Sequence, residues 1–117
     1  MSINVIVIAG RLGQKPMLKK LAEGKQVTDF RLAHQRRKRR RESGDDERAT
    51  DWYTCNLWGP LAEVLCTEGL KGQKITVTGT LSLENVPVEG GATRLHPVIE
   101  VTSFELGPVP PLRPKSP

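Results

Sequence analysis

The chain has 117 residues, a formal net charge of +5, 37% hydrophobic residues and a mean hydropathy of −0.39. That is the length of one domain with room for a modest core, so neither a disulfide framework nor a structural metal is required. No apolar run is long enough to span a bilayer, and the apolar stretch at Ser2–Gly10 is short, lacks a basic start and runs into Arg11, so neither a membrane span nor a secretory signal is expected. The expected compartment is therefore the cytoplasm. Two cysteines, Cys55 and Cys66, with no CxxC pair, read as small buried hydrophobes in a reducing compartment.

In chain order, Asn4–Leu12 is rich in Val and Ile and predicts a first strand, bent at Gly10 and Gly13, with Met17–Leu21 continuing it beyond a bulge. Ala22-Glu23-Gly24-Lys25 is a turn, and Gln26–Gln35 a second strand with Phe30 and Leu32 on one face. Residues 36–50 are so heavily charged that they predict a long, mobile loop. Asp51–Trp58 is the third strand, followed by a helix over 60–70. Pro60 suits its first turn, and Leu61, Val64 and Leu65 form an apolar stripe. Lys74–Leu83 is the fourth strand. Alternation puts Ile75, Val77, Leu81 and Leu83 on one face and Lys74, Thr76, Thr78, Thr80 and Ser82 on the other, a polar face that suits either solvent or a nucleic-acid strand laid over its hydroxyls. Glu84–Thr93, with Pro87 and Gly90-Gly91, is a hairpin loop, and Arg94–Leu106 the last strand. Residues 108–117 hold five of the nine prolines and predict an extended, disordered tail. Residues 1–107 thus form an all-β domain: a five-stranded OB barrel with one short helix between strands 3 and 4.

Charge is distributed unevenly. Residues 1–41 carry twelve Lys or Arg against two acids, whereas residues 42–117 carry six against eleven. Half of the first group is one run, Arg36, Arg37, Lys38, Arg39, Arg40 and Arg41. Such a run favours a polyanionic partner, nucleic acid ahead of an anionic membrane surface, because no amphipathic helix carries it.

The third strand supplies the second half of a binding chemistry. Trp52, Thr54, Asn56 and Trp58 share one face, opposite Tyr53, Cys55 and Leu57. Two tryptophans on a polar face, about 20 Å apart at about 3.3 Å per residue, are too distant to stack on each other. They are spaced to serve two bases of an extended strand. Stacking contributes about 1–3 kcal/mol per base and tolerates any base, so aromatics beside a basic loop fit single-stranded nucleic acid, whose bases are unstacked.

The segment Trp52-Tyr53-Thr54-Cys55-Asn56-Leu57-Trp58-Gly59-Pro60-Leu61-Ala62-Glu63-Val64 resembles the bacterial and plastid single-stranded DNA-binding protein (SSB) family. So do the opening Asn4–Pro16, with its Gly10, Gly13 and Pro16 bend, Leu70-Lys71-Gly72 after the helix, and Gly79. The likeness spans residues 3–107 and is greatest to short cyanobacterial and plastid members. It implies an OB fold, a homotetramer in the usual case (a dimer is equally compatible with the barrel's edges), and sequence-independent binding of single-stranded DNA in replication, recombination or repair, at the nucleoid. It places Trp52 and Trp58 at stacking positions, Lys71 near the DNA path, and Arg36–Arg41 in a loop flanking DNA. Thr54 and Asn56, between the tryptophans, complete the candidate nucleic-acid-binding set.

Three departures qualify the likeness. The family commonly has a stacking aromatic in the loop that here is all charge, and another near the position of Glu84-Asn85-Val86-Pro87. Binding is therefore expected to lean on charge and to be salt-sensitive. Replicative members also end in an acidic, Phe-bearing tip that recruits partner proteins. Here the last residues are Leu112-Arg113-Pro114-Lys115-Ser116-Pro117, of which that recruitment is not expected. No catalytic constellation surrounds His34 or His96, and there is no phosphate loop and no metal-ligand cluster. No enzyme activity, cofactor, metal or small-molecule substrate is expected. The competing reading is an OB-fold paralogue serving RNA or acting as a protein adaptor, since fold does not fix function.

Overall fold

A computed structural model describes residues 2–39, 44 and 46–110. Six strands are present: β1 (Ile6–Leu12), β2 (Met17–Lys20), β3 (Gln26–Arg39), β4 (Asp46–Trp58), β5 (Lys74–Pro87) and β6 (Thr93–Leu106). One helix, α1 (Pro60–Glu68), joins β4 to β5. The strands run β1-β5-β6-β4-β3-β2, and β1 also meets β3, which closes the barrel. β1 and β2 are the one interrupted strand expected from the sequence. Counted so, the barrel has five strands and the helix falls between the third and fourth. The pairing of β4 with β6 is parallel and all others are antiparallel.

The core follows the alternation. Phe30 and Leu32 from β3, Cys55 and Leu57 from β4, Ile75 and Val77 from β5, and Ile99 and Val101 from β6 meet Leu12, with Ala62 and Leu65 of α1 closing one end. The stripe expected on the helix is only partly right. Leu65 is buried, but Leu61 and Val64 are exposed, and the small Ala62 makes the close approach instead. The last turn of α1 has no basic residue of its own. Lys15 supplies one from the bend after β1: its Nζ donates to the carbonyls of Cys66 and Gly69, both at 3.0 Å, where a cation favours the negative end of the helix. Buried Gln73 ties the next turn to the end of the barrel, accepting from Leu70 N at 3.0 Å and donating to the Gly107 carbonyl at 2.8 Å.

Both cysteines are unpaired. Burial pushes the Cys55 thiol up to about 12, so it stays protonated as a core residue, while Cys66 is half-buried.

Two regions expected as loops are strands. Instead of ending at Gln35, β3 stays paired with β4 outward through Gln35↔Thr50, Arg36↔Ala49, Arg37↔Arg48, Lys38↔Glu47 and Arg39↔Asp46. The 36–50 loop is thus a β-arm for most of its length. The register sets Lys38 opposite the unlike charge of Glu47 but Arg37 opposite the like charge of Arg48, so the ladder is held by its backbone pairing more than by matched charge. Likewise, β5 and β6 continue past the barrel as a second arm, paired out to Pro87↔Thr93. Leu81 and Leu83 share the face of the buried Ile75 and Val77 but are exposed, because the strand has by then outrun the layer opposite it. The Pro-rich tail lies mostly outside the described residues.

At Gly79 β5 leaves no room for a Cβ against the Glu100 carbonyl of β6, beside a bulge in which Thr78 and Gly79 oppose Ser103 and Val101 and leave Thr102 extra. Asn4 finishes the neighbouring edge. Its side chain donates to the Leu81 carbonyl at 2.8 Å and accepts from Leu81 N at 3.0 Å, as a strand backbone would.

Candidate nucleic-acid interface

The outer face of the β3–β4 ladder is built by register. Trp52 lies opposite Ala33, Thr54 opposite Arg31 and Asn56 opposite Asp29, with Trp58 at the end of the ladder. Cys55 and Leu57 point inward and are buried. Trp52 and Trp58 remain 50% and 53% exposed, which leaves aromatic surface open on a face that also carries the polar Arg31, Thr54, Asp29 and Asn56.

The two indoles sit in different surroundings. Trp52 rests its ring edge on Gly13, where a Cβ would come within 2.7 Å of the indole Cζ3. The Arg31 guanidinium lies over the ring, 5.0 Å from its centroid, a cation–π geometry. Beside Trp52, between β1 and β3, is a hollow of about 860 Å³ whose walls include Arg11, His34, Gln35, Lys74 and Glu105. Trp58 instead borders a smaller recess with Lys25, Gln26, Gly59 and Pro60, at the β2–β3 turn and the start of α1.

The basic run is split by the pleat. Arg37 and, from the opposite strand, Arg48 continue the Trp52 face, whereas Arg36 and Lys38 alternate to the other. Arg36 is already engaged: its Nε donates to Asp51 Oδ2 at 2.6 Å. Arg39 is described through its backbone pairing with Asp46, and Arg40 and Arg41 lie outside the described residues. Lys71 is exposed in the turn after α1. Its neighbour Gly72 donates from its N–H to the Leu12 carbonyl at 2.8 Å, which sets Lys71 beside the bend that supports Trp52.

Thr54 and Asn56 are less open than their position implied. Thr54 Oγ1 lies 3.2 Å from His96 Nε2, which brings the base of the β5–β6 arm against this face. Asn56 Oδ1 is enclosed without a hydrogen-bond partner, so that oxygen is not offered outward. Asp29, opposite Asn56, is bridged by Lys19 at 3.4 Å, an exposed pair that mutes its repulsion of a phosphate.

Sequence reasoning missed Arg31, Arg48, Lys25 and His96. Arg48 sits in an acidic-looking segment and comes to the site only through cross-strand register. Arg31 and Lys25 were isolated cations in sequence, and His96 arrives from the last strand. Among the described residues, no group of three or more His, Cys, Asp or Glu could hold a metal, and no helix is long and apolar enough to cross a membrane.

A closed five-strand barrel with its helix after the third strand and a parallel closing pair is an OB barrel, here one that presents an aromatic and basic face. The model of the single-strand binding protein family matches residues 3–106, and the chain belongs to that family. Single-stranded DNA-binding protein 1 of Synechocystis sp. is 35% identical over 107 residues, covering 91% of this chain and 84% of that protein. Single-stranded DNA-binding protein 2 of Streptococcus agalactiae is 34% identical over 105 residues, covering 88% and 76%. Among solved structures, the small single-stranded DNA-binding protein from Streptomyces coelicolor superposes with a TM-score of 0.72 at 25% identity, covering 92% of this chain and 96% of that one. The Plasmodium falciparum SSB complex with single-stranded DNA gives 0.79 at 24% identity, covering 91% and 94%, a likeness of fold.

Proposed function

We propose that this protein binds single-stranded DNA without sequence preference, as a binding protein of replication, recombination or repair acting at the nucleoid. Bases stack on Trp52 and Trp58, while Arg37, Arg48 and Lys71, with the remainder of the Arg36–Arg41 run, hold phosphates. The observation that carries this reading is the pair of half-exposed tryptophans on one polar face, flanked by cations on both strands of an arm. Family membership and the naming of the relatives support the partner.

The test is intrinsic tryptophan fluorescence during titration with oligo-dT. Strong quenching is expected, and Trp52→Ala and Trp58→Ala are each expected to weaken binding about 5- to 150-fold, the equivalent of about 1–3 kcal/mol of stacking. Binding without quenching would make the tryptophans structural. Equal or tighter binding of oligo-U at the same salt would favour the RNA reading, and no binding of either would favour a protein adaptor.

The protein acts as a homo-oligomer. In support, β1 pairs along its length with β5 but meets β3 only at Arg11 and Leu12, and it carries exposed Val5 and Val7 at its outer end. An unpaired strand edge beside apolar side chains is a surface for another copy. Native mass spectrometry is expected to give a multiple of the 13.0 kDa chain, four copies or two. A monomer at micromolar concentration would refute this.

A further inference from the structure

Arg31 stands apart from the basic arm. It is exposed, sits opposite Thr54 in the ladder, and places its guanidinium over the neighbouring indole, 5.0 Å from the ring centroid. Its backbone is fixed from the other side: Gly13 N donates to the Arg31 carbonyl at 3.0 Å, and Gly13 supports the edge of the same indole. Gly13, Arg31 and Trp52 therefore form one unit, in which a residue with a Cβ at position 13 would displace the ring. Trp52 also lines the hollow between β1 and β3 and is 50% exposed, so ring surface stays open beside the guanidinium.

We propose that Arg31 is the positioning residue of the Trp52 platform. Its guanidinium covers one side of the indole, fixes the ring with the other side open to a base, and contacts the phosphate of the nucleotide stacked there. This inference rests on the single-stranded DNA reading and deepens it. The chemistry is specific to arginine: its planar group lies flat on an aromatic face and still has N–H donors at its edge for a phosphate, which a lysine ammonium cannot do in one geometry. A platform held this way has one usable side, so Trp52 accepts one base and not a sandwich of two.

The test uses the full chain in a Trp58→Phe background, where Trp52 is the sole tryptophan, with oligo-dT as probe. Arg31→Gln is expected to red-shift the emission of the free protein, weaken binding about 10-fold, and make the log-affinity versus log-salt slope shallower by about 0.7, the value of one phosphate on a single strand. Arg31→Lys is expected to restore the slope and only part of the affinity. In a double-mutant cycle read by the anisotropy of fluorescently labelled oligo-dT, Arg31→Gln combined with Trp52→Ala is expected to cost less than the sum of the two, since Arg31 acts partly through the ring. If the parent binds oligo-dT and Arg31→Gln leaves emission, affinity and slope unchanged, Arg31 is a bystander and the proposal is overturned. Tighter binding by Arg31→Gln also overturns it, because the guanidinium would then be covering the side the base needs. If the parent itself does not bind oligo-dT, the underlying reading fails with it, an outcome distinct from a binding parent with an indifferent variant.

Discussion

Raising salt from about 50 to about 200 mM is expected to weaken binding of oligo-dT roughly 300-fold. The estimate assumes about six phosphates neutralised per binding site, with a log–log slope of about −0.7 per phosphate on a single strand, hence about −4 in total. The cations for this exist in two groups: Arg37, Arg48 and the outer part of the basic run on the β3–β4 arm, and Arg31, Lys25 and Lys71 nearer the barrel. Only two tryptophans are available as platforms, and Glu84-Asn85-Val86-Pro87 on the second arm holds no aromatic. Stacking, which salt screens little, therefore carries a smaller share of the binding. The measurement is a series of fluorescence titrations at five or so salt concentrations. A slope shallower than about −2 would mean that few phosphates are neutralised and that the arm's charge serves something else.

Gly79→Ala is expected to be the most damaging small substitution in the barrel, lowering the melting temperature by more than about 10 °C. A Cβ on Gly79 would collide with the carbonyl oxygen of Glu100, and would lie 2.8 Å from its carbon and 2.9 Å from Val101 Cα. All three atoms belong to the backbone of β6, which cannot swing aside as a side chain can. The strands must separate or the bulge must open, and either breaks the β5–β6 ladder where it turns from barrel to arm. Gly13→Ala gives the contrast, since its Cβ meets the indole of Trp52, a side chain that can move. Its thermal stability should change little while its fluorescence changes. Comparing the two by differential scanning calorimetry checks the argument, and an unaltered melting temperature for Gly79→Ala would refute it.

The sequence was most informative where one strand has one buried face. From Trp52 to Trp58 the alternation is unbroken, so the parity of Cys55 and Leu57 fixes that of the tryptophans, and both proved open. The order of elements was legible for the same reason, since each barrel strand carries its own inward pair. Legibility failed where pairing continues beyond the core. Leu81 and Leu83 keep the inward parity of Ile75 and Val77, but burial needs a layer opposite, and parity alone does not say where that layer ends. The charged arm failed for the converse reason. Each strand looks unable to pack, and only their mutual register shows the backbone pairing that holds them. Arg31 shows a third limit. Its role depends on a diagonal neighbour and on the absence of a side chain at Gly13, a relation among three segments that no single window of sequence contains.

The parallel pairing of β4 with β6 has a kinetic consequence. β4 carries both tryptophans, yet its second neighbour is the last strand of the domain. The clasp between Asn4 and Leu81 likewise joins residues 77 apart. Such non-local contacts make folding slow, in the millisecond-to-second range typical of β-barrels, because distant segments must find each other before any pairing is rewarded. During synthesis, the first four strands emerge with one edge of β4 bare and its apolar inner side uncovered. The strand with both tryptophans therefore gains its second neighbour only after residues near 100 have left the ribosome. A nascent chain exposes the bare edge of β4 until its last strand arrives to cover it.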